Sequence, residues 1–124
     1  MNGSIIKLEY KRSFFDVSEM KPGARTIITI SEDGSIVSKD YEPGSRKAKS
    51  VKRKICPLAA FEELCHDILD CIADADRQDF YVDDSTEELK IYHQYGRIQT
   101  MDRGLGKENI HIADIMHRFL DTYL

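Results

Sequence analysis

The longest unbroken apolar periodicity in the chain runs from Pro57 to Ala75, where Leu58, Phe61, Leu64, Cys65, Ile68, Leu69 and Ile72 recur at three- and four-residue steps. At 3.6 residues per turn these positions form one stripe, which predicts an amphipathic helix with Glu63, His66, Asp67, Asp70 and Asp74 on its other side. Pro57 suits the first helical position, where no N–H is required. A second stripe, Ile112, Ile115, Met116, Phe119, Leu120 and Tyr123, predicts a last helix capped by Asn109. Helices this one-sided need a sheet to cover their apolar stripes.

The rest of the pattern supplies that sheet. Ile6, Leu8 and Tyr10 alternate with Lys7, Glu9 and Lys11, the period-two signature of a half-buried strand. Phe14, Phe15 and Val17 form a second short apolar run before Lys21-Pro22-Gly23, whose proline and glycine predict a reversal. Thr26 to Ser31 and Ile36 to Tyr41 flank Glu32-Asp33-Gly34-Ser35, which carries the Asp-Gly hairpin signal. Further along, Phe80 to Val82 and Leu89 to His93 read as strands around an Asp83-Asp84-Ser85-Thr86 turn, and Tyr95-Gly96 turns the chain into Arg97 to Met101. Hairpins without crossovers predict an α+β domain, an antiparallel sheet of six or seven strands with two helices on one face.

The two helices also match each other, with Leu64-Cys65-His66-Asp67-Ile68-Leu69-Asp70 set against Ile115-Met116-His117-Arg118-Phe119-Leu120-Asp121 at a constant offset of 51. Gly34, Ile36 and Asp40 fall on Gly96, Ile98 and Asp102 at an offset of 62, and the difference of 11 is the length of the intervening basic segment. These matches predict a duplicated β-β-β-α unit over residues 12–75 and 78–124, with chance similarity of amphipathic elements as the alternative.

Composition bounds the chain without identifying it. With 124 residues, 41% apolar and 32% charged, it reads as a single domain spanning 1–124. Its apolar runs are too short to span a bilayer or to form a signal peptide, so a cytoplasmic protein is expected. Charge is more informative. Arg46, Lys47, Lys49, Lys52, Arg53 and Lys54 concentrate six positive charges in nine residues, and removing them from the 18 basic residues leaves 12 against 22 acids. The segment is either a loop or a lysine-rich edge strand. In both cases it is expected to lie against the acidic face of the first helix, Glu62, Glu63, Asp67, Asp70 and Asp74.

Candidate chemistry is sparse. His66 with Asp70 and His117 with Asp121 place an imidazole one turn before a carboxylate on each helix, and a two-fold between the halves would converge them into a His2Asp2 metal site. A solvated helix face explains the same residues. Cys56 follows three basic residues and precedes a helix, a setting that favours a thiolate. Gly104-Leu105-Gly106-Lys107 precedes a helix and offers an anion contact through Lys107, although the Walker pattern is not met because Glu108 follows the lysine. No catalytic motif appears in the chain, so a non-catalytic reading is preferred and no cofactor is expected. The expected function is an interaction module, acting as a homodimer or on a protein partner through an uncovered sheet face bearing some of Phe14, Phe15, Tyr41, Phe80, Tyr81 and Tyr92. The alternatives are nucleic-acid binding through Arg46 to Lys54, disfavoured by the acidic remainder, and a small metal-binding or enzymatic domain built on the His/Asp pairs.

Overall fold

A computed structural model describes residues 5–16, 21–74, 85–96, 98–101 and 110–124. The strands are β1 (Ile5–Asp16), β2 (Lys21–Ser31), β3 (Ser35–Tyr41), β4 (Ser50–Ile55), β5 (Ser85–His93) and β6 (Ile98–Met101), with α1 (Leu58–Asp74) after β4 and α2 (Ile110–Tyr123) after β6. They form one antiparallel sheet in the order β4-β3-β2-β1-β5-β6. The α+β class, with an antiparallel sheet and two helices, is therefore the one that the periodicity predicts.

Register explains which side chains become the core. Leu8 pairs with both Ile30 and Ile91, Tyr10 with Ile28 and Leu89, and Ile30 with Ile36, so one face of four neighbouring strands is continuously apolar. Phe61, Leu64, Cys65 and Ile68 of α1 and Met116 and Phe119 of α2 bury against it. The first helix spans Leu58–Asp74 within the expected limits. The Pro57 carbonyl accepts the Phe61 N–H at 3.3 Å, so the proline caps the helix one residue before its first turn. Leu58 departs from the predicted stripe and is 59% exposed.

Several boundaries differ from the sequence expectation. Phe14 and Phe15 continue β1 instead of opening a second strand, and Lys21 and Pro22 already belong to β2, paired with Asp16 and Phe15. Proline is tolerated there because β3 pairs with β2 only as far as Arg25. Ile5 rather than Ile6 joins the core, since the β1–β5 register shifts between Ile5 and Lys7 and the extra residue turns the alternation over. Ser85 and Thr86 pair with β1 as strand and are not a turn. The expected strand at Phe80 to Val82, the Asn109 cap and the glycine turn at 104–106 lie outside the described residues.

Two turns need glycine. Gly34, at φ 89°, donates to the Ser31 carbonyl at 2.9 Å, and a Cβ there would come within 2.4 Å of the Cys56 carbonyl oxygen. Asp33 completes this turn by accepting from the Ser35 hydroxyl at 2.7 Å and the Ser35 N–H at 2.9 Å, which lowers its pKa. Gly44, at φ 73°, follows Pro43 in a turn closed by the Ser45 N–H to Glu42 carbonyl bond at 3.0 Å. Tyr95 shares the left-handed region with Gly96 at φ 66°, and its side chain is fully exposed.

The described strands do not confirm the duplication that the internal match implies. β2 and β5 both run antiparallel to β1 on opposite sides of it, so the two hairpins progress outward in opposite directions while both helices share one face. No rotation that keeps that face maps one hairpin onto the other. The residues agree with this geometry: the offset of 62 sets the buried Ile28 and Ile30 against Lys90 and Tyr92, which point to the opposite face.

Candidate functional site

The basic segment resolves into a connection and an edge strand. Arg46, Lys47 and Lys49 lie in the connection, which is tied down locally. Arg25 Nη2 donates to the Ser45 carbonyl at 2.8 Å, the Lys47 N–H donates to Ser45 Oγ at 3.2 Å, and Lys49 Nζ is 3.7 Å from Glu42. Asp40 then holds the start of β4, accepting from Ser50 Oγ at 3.0 Å and Thr26 Oγ1 at 2.7 Å. Lys52, Arg53 and Lys54 stand within the strand. The expected draping of the segment over the acidic face of α1 thus gives way, from Ser50 onward, to a ladder with β3 that satisfies the backbone of Lys52 and Lys54, with the β-branched Val51 and Ile55 on its other face.

All six residues of β4 are exposed, including Val51 at 47% and Ile55 at 81%. Pairing with β3 sets Lys52 and Lys54 beyond Ser38 and Ile36 on the helix-bearing side, while Val51, Arg53 and Ile55 project from the outer face beside Lys39, Val37 and Ser35. Among the described residues no strand follows β4, so its outer backbone edge is open.

The outer face continues this character. Its described side chains include Lys7, Lys11, Arg25, Lys39, Arg53 and Lys90 but only two acids, Glu9 and Glu88. Tyr41 and Tyr92 lie there too, each beneath a cation: Arg25 is 4.3 Å from the Tyr41 centroid and Lys7 Nζ 4.3 Å from that of Tyr92. Tyr92 also donates to Glu9 at 3.4 Å, and its pKa is raised by partial burial and then by the Glu9 charge. These two tyrosines are thus roofed by arginine and lysine, and Ile27, Val37, Val51 and Ile55 share the face with the bases. On the other side of the sheet the helices carry Glu62, Glu63, Asp67, Asp70, Asp114 and Asp121.

The remaining predicted sites fare differently. Cys56 is buried at the start of the helix connection, its N–H donating to the Gly34 carbonyl at 2.8 Å, and burial raises its thiol pKa. The raising effect of burial exceeds the lowering effect of a backbone hydrogen bond to the thiol. Cys65 is also buried, with its pKa pushed up to about 12 by burial first and Glu62 second. His66 is exposed, with Nδ1 3.5 Å from Asp70 and 3.7 Å from Asp67 on its own helix. His117 instead turns under α2, its Nε2 3.0 Å from the hydroxyl of the buried Tyr10 with the rings edge to face. The two histidines therefore serve different surroundings, and among the described residues no group of three or more His, Cys, Asp or Glu comes together to hold a metal. Lys107 lies outside the described residues.

Between the helices a groove of about 220 Å³ is lined by Glu63, Leu64 and Asp67 of α1 and by Ile115, Arg118, Phe119, Thr122 and Tyr123 of α2. Its arginine is paired with Asp114 one turn earlier, which raises the Arg118 pKa. Its threonine bonds the Arg118 carbonyl at 2.9 Å. Both polar groups are thus satisfied within their own helix.

No family model matches this chain, and no curated protein matches its sequence. Among the described residues no helix is long and apolar enough to cross a membrane. Val51 and Ile55 are the surface residues that a charge-based reading of the segment misses. Their signal is present in the sequence as a period-two pattern, Val51-Arg53-Ile55 against Lys52-Lys54, that the run of positive charge conceals.

Proposed function

We propose that the protein is a non-catalytic interaction module that takes an anionic protein partner on the open β4 edge and the adjoining outer face of its sheet. The observation that supports this is a local excess of charge: among the described side chains the outer sheet face carries Lys7, Lys11, Arg25, Lys39, Arg53 and Lys90 against Glu9 and Glu88, while the helices behind it carry six acids against Arg118. Such a face attracts anions from a distance while the helix layer repels them, so partners are oriented on approach. The open backbone edge and the exposed Val51 and Ile55 add features that a polypeptide exploits.

Nucleic acid is the second reading, since Tyr41 and Tyr92 share the basic face. Each ring already carries a cation over one of its faces, and the acidic helices repel a polyanion. With Cys56 and Cys65 both free, a reducing compartment such as the cytoplasm suits the protein.

Fluorescence anisotropy with a labelled glutamate-rich peptide and a labelled single-stranded oligonucleotide tests this reading. Binding of the peptide that weakens as salt rises is expected, with no oligonucleotide binding at physiological ionic strength. Absence of peptide binding even at low salt would overturn it.

A further inference from the structure

We infer that β4 receives an extended acidic segment of a partner protein as an added strand, in the order apolar, acidic, acidic, acidic, apolar. This rests on the anionic-partner reading above and specifies its chemistry. The Cys56 N–H to Gly34 carbonyl bond fixes the parity of the β3–β4 ladder, because bonded pairs alternate along an antiparallel ladder. Lys54 and Lys52, two and four residues earlier, therefore bond to β3. Val51, Arg53 and Ile55 direct their N–H and C=O groups away from it, toward the side where the described residues place no strand.

An antiparallel strand added there shares faces with β4 position by position. Opposite Val51 and Ile55 it meets exposed apolar side chains on the outer face, with Arg53 between them. Opposite Lys52 and Lys54 it meets ammonium groups on the helix-bearing side. Acids at the three central positions and apolar residues at the ends satisfy all five. A second copy of β4 fits poorly, because antiparallel self-pairing sets Lys52, Arg53 and Lys54 against their own like charges. A nucleic acid lacks the peptide N–H and C=O ladder that this edge presents.

The test uses the full chain and the peptide acetyl-Thr-Val-Glu-Glu-Glu-Val-Thr-amide, titrated calorimetrically at low salt. Two control peptides are a scramble of the same composition and the parent sequence N-methylated at both valines and the central glutamate, whose N–H groups face β4. Each control is expected to bind at least about tenfold more weakly, the N-methylated peptide because it loses three backbone N–H donors and the scramble because it sets acids against Val51 or Ile55 and apolar residues against the bases. Lys52, Arg53 and Lys54→Ser, and separately Arg53→Glu, should weaken the parent peptide while leaving far-UV circular dichroism unchanged; the single variant decides the matter should the triple one not fold. Equal binding of all three peptides would overturn the added strand while leaving the anionic-partner reading intact. No binding by any of them would remove both, and tight oligonucleotide binding in place of peptide would replace both with the nucleic-acid reading.

Discussion

Gly34 shows how one residue can join two elements. Its left-handed backbone closes the β2–β3 turn, and its missing side chain lets the Cys56 carbonyl approach where β4 gives way to α1. Gly34→Ala combines a conformational penalty with a steric one and is expected to cost at least about 2 kcal/mol, read from the urea midpoint. Cys65 carries a pH signature. Its folded-state pKa of about 12 lies above the value of 9.0 for an unperturbed thiol, so the folded state holds the proton more tightly. Its contribution is complete below pH 9.0 and is lost as pH rises toward about 12, because over that window the unfolded chain binds fewer protons. Urea midpoints measured across this range should fall, and Cys65→Ala should flatten part of the slope.

At the scale of elements, β4 is unusual in burying none of its residues while being fully paired on one side. Its stability therefore comes from the ladder to β3 and from Asp40 holding Ser50, not from its charged side chains. Lys52, Arg53 and Lys54→Ser should change unfolding free energy by no more than about 0.5 kcal/mol per site, since exposed substitutions away from caps and networks rarely do more. Unfolding of this variant would show that the basic side chains carry packing that their exposure conceals. The positive charges instead serve a protective purpose familiar at sheet edges, discouraging uncontrolled pairing of identical strands.

For the whole molecule, the two faces of the sheet divide the labour. One face is apolar across β3, β2, β1 and β5 and is covered by both helices; the other is basic, with its tyrosines shielded by Arg25 and Lys7. Because the open edge and the outer face bear like charges, the free protein is expected to sediment as a monomer at micromolar concentration in low salt. A dimer under those conditions would argue for self-association through the sheet, which the aromatic residues alone predict from sequence.

The α+β class, both helices and most of the core were legible in the sequence because periodicity reports which positions must leave water: Phe61, Leu64, Cys65 and Ile68 could only share one side of a helix, and Leu8 and Tyr10 only one side of a strand. Strand ends were less legible, since propensity is local while pairing is not. Pro22 sits inside β2 only because β3 ends short of it, and Ile5 replaces Ile6 in the core only because β1 is bulged against β5. The candidate site was half visible. Six bases in nine residues announce a charged segment, but whether it becomes a loop or a strand depends on whether β3 offers it an open edge, and that is a property of the assembled sheet. The match between the two helices is one that amphipathic packing also produces by itself, and the strand order, set by which neighbours β1 recruits on each side, does not confirm a duplication.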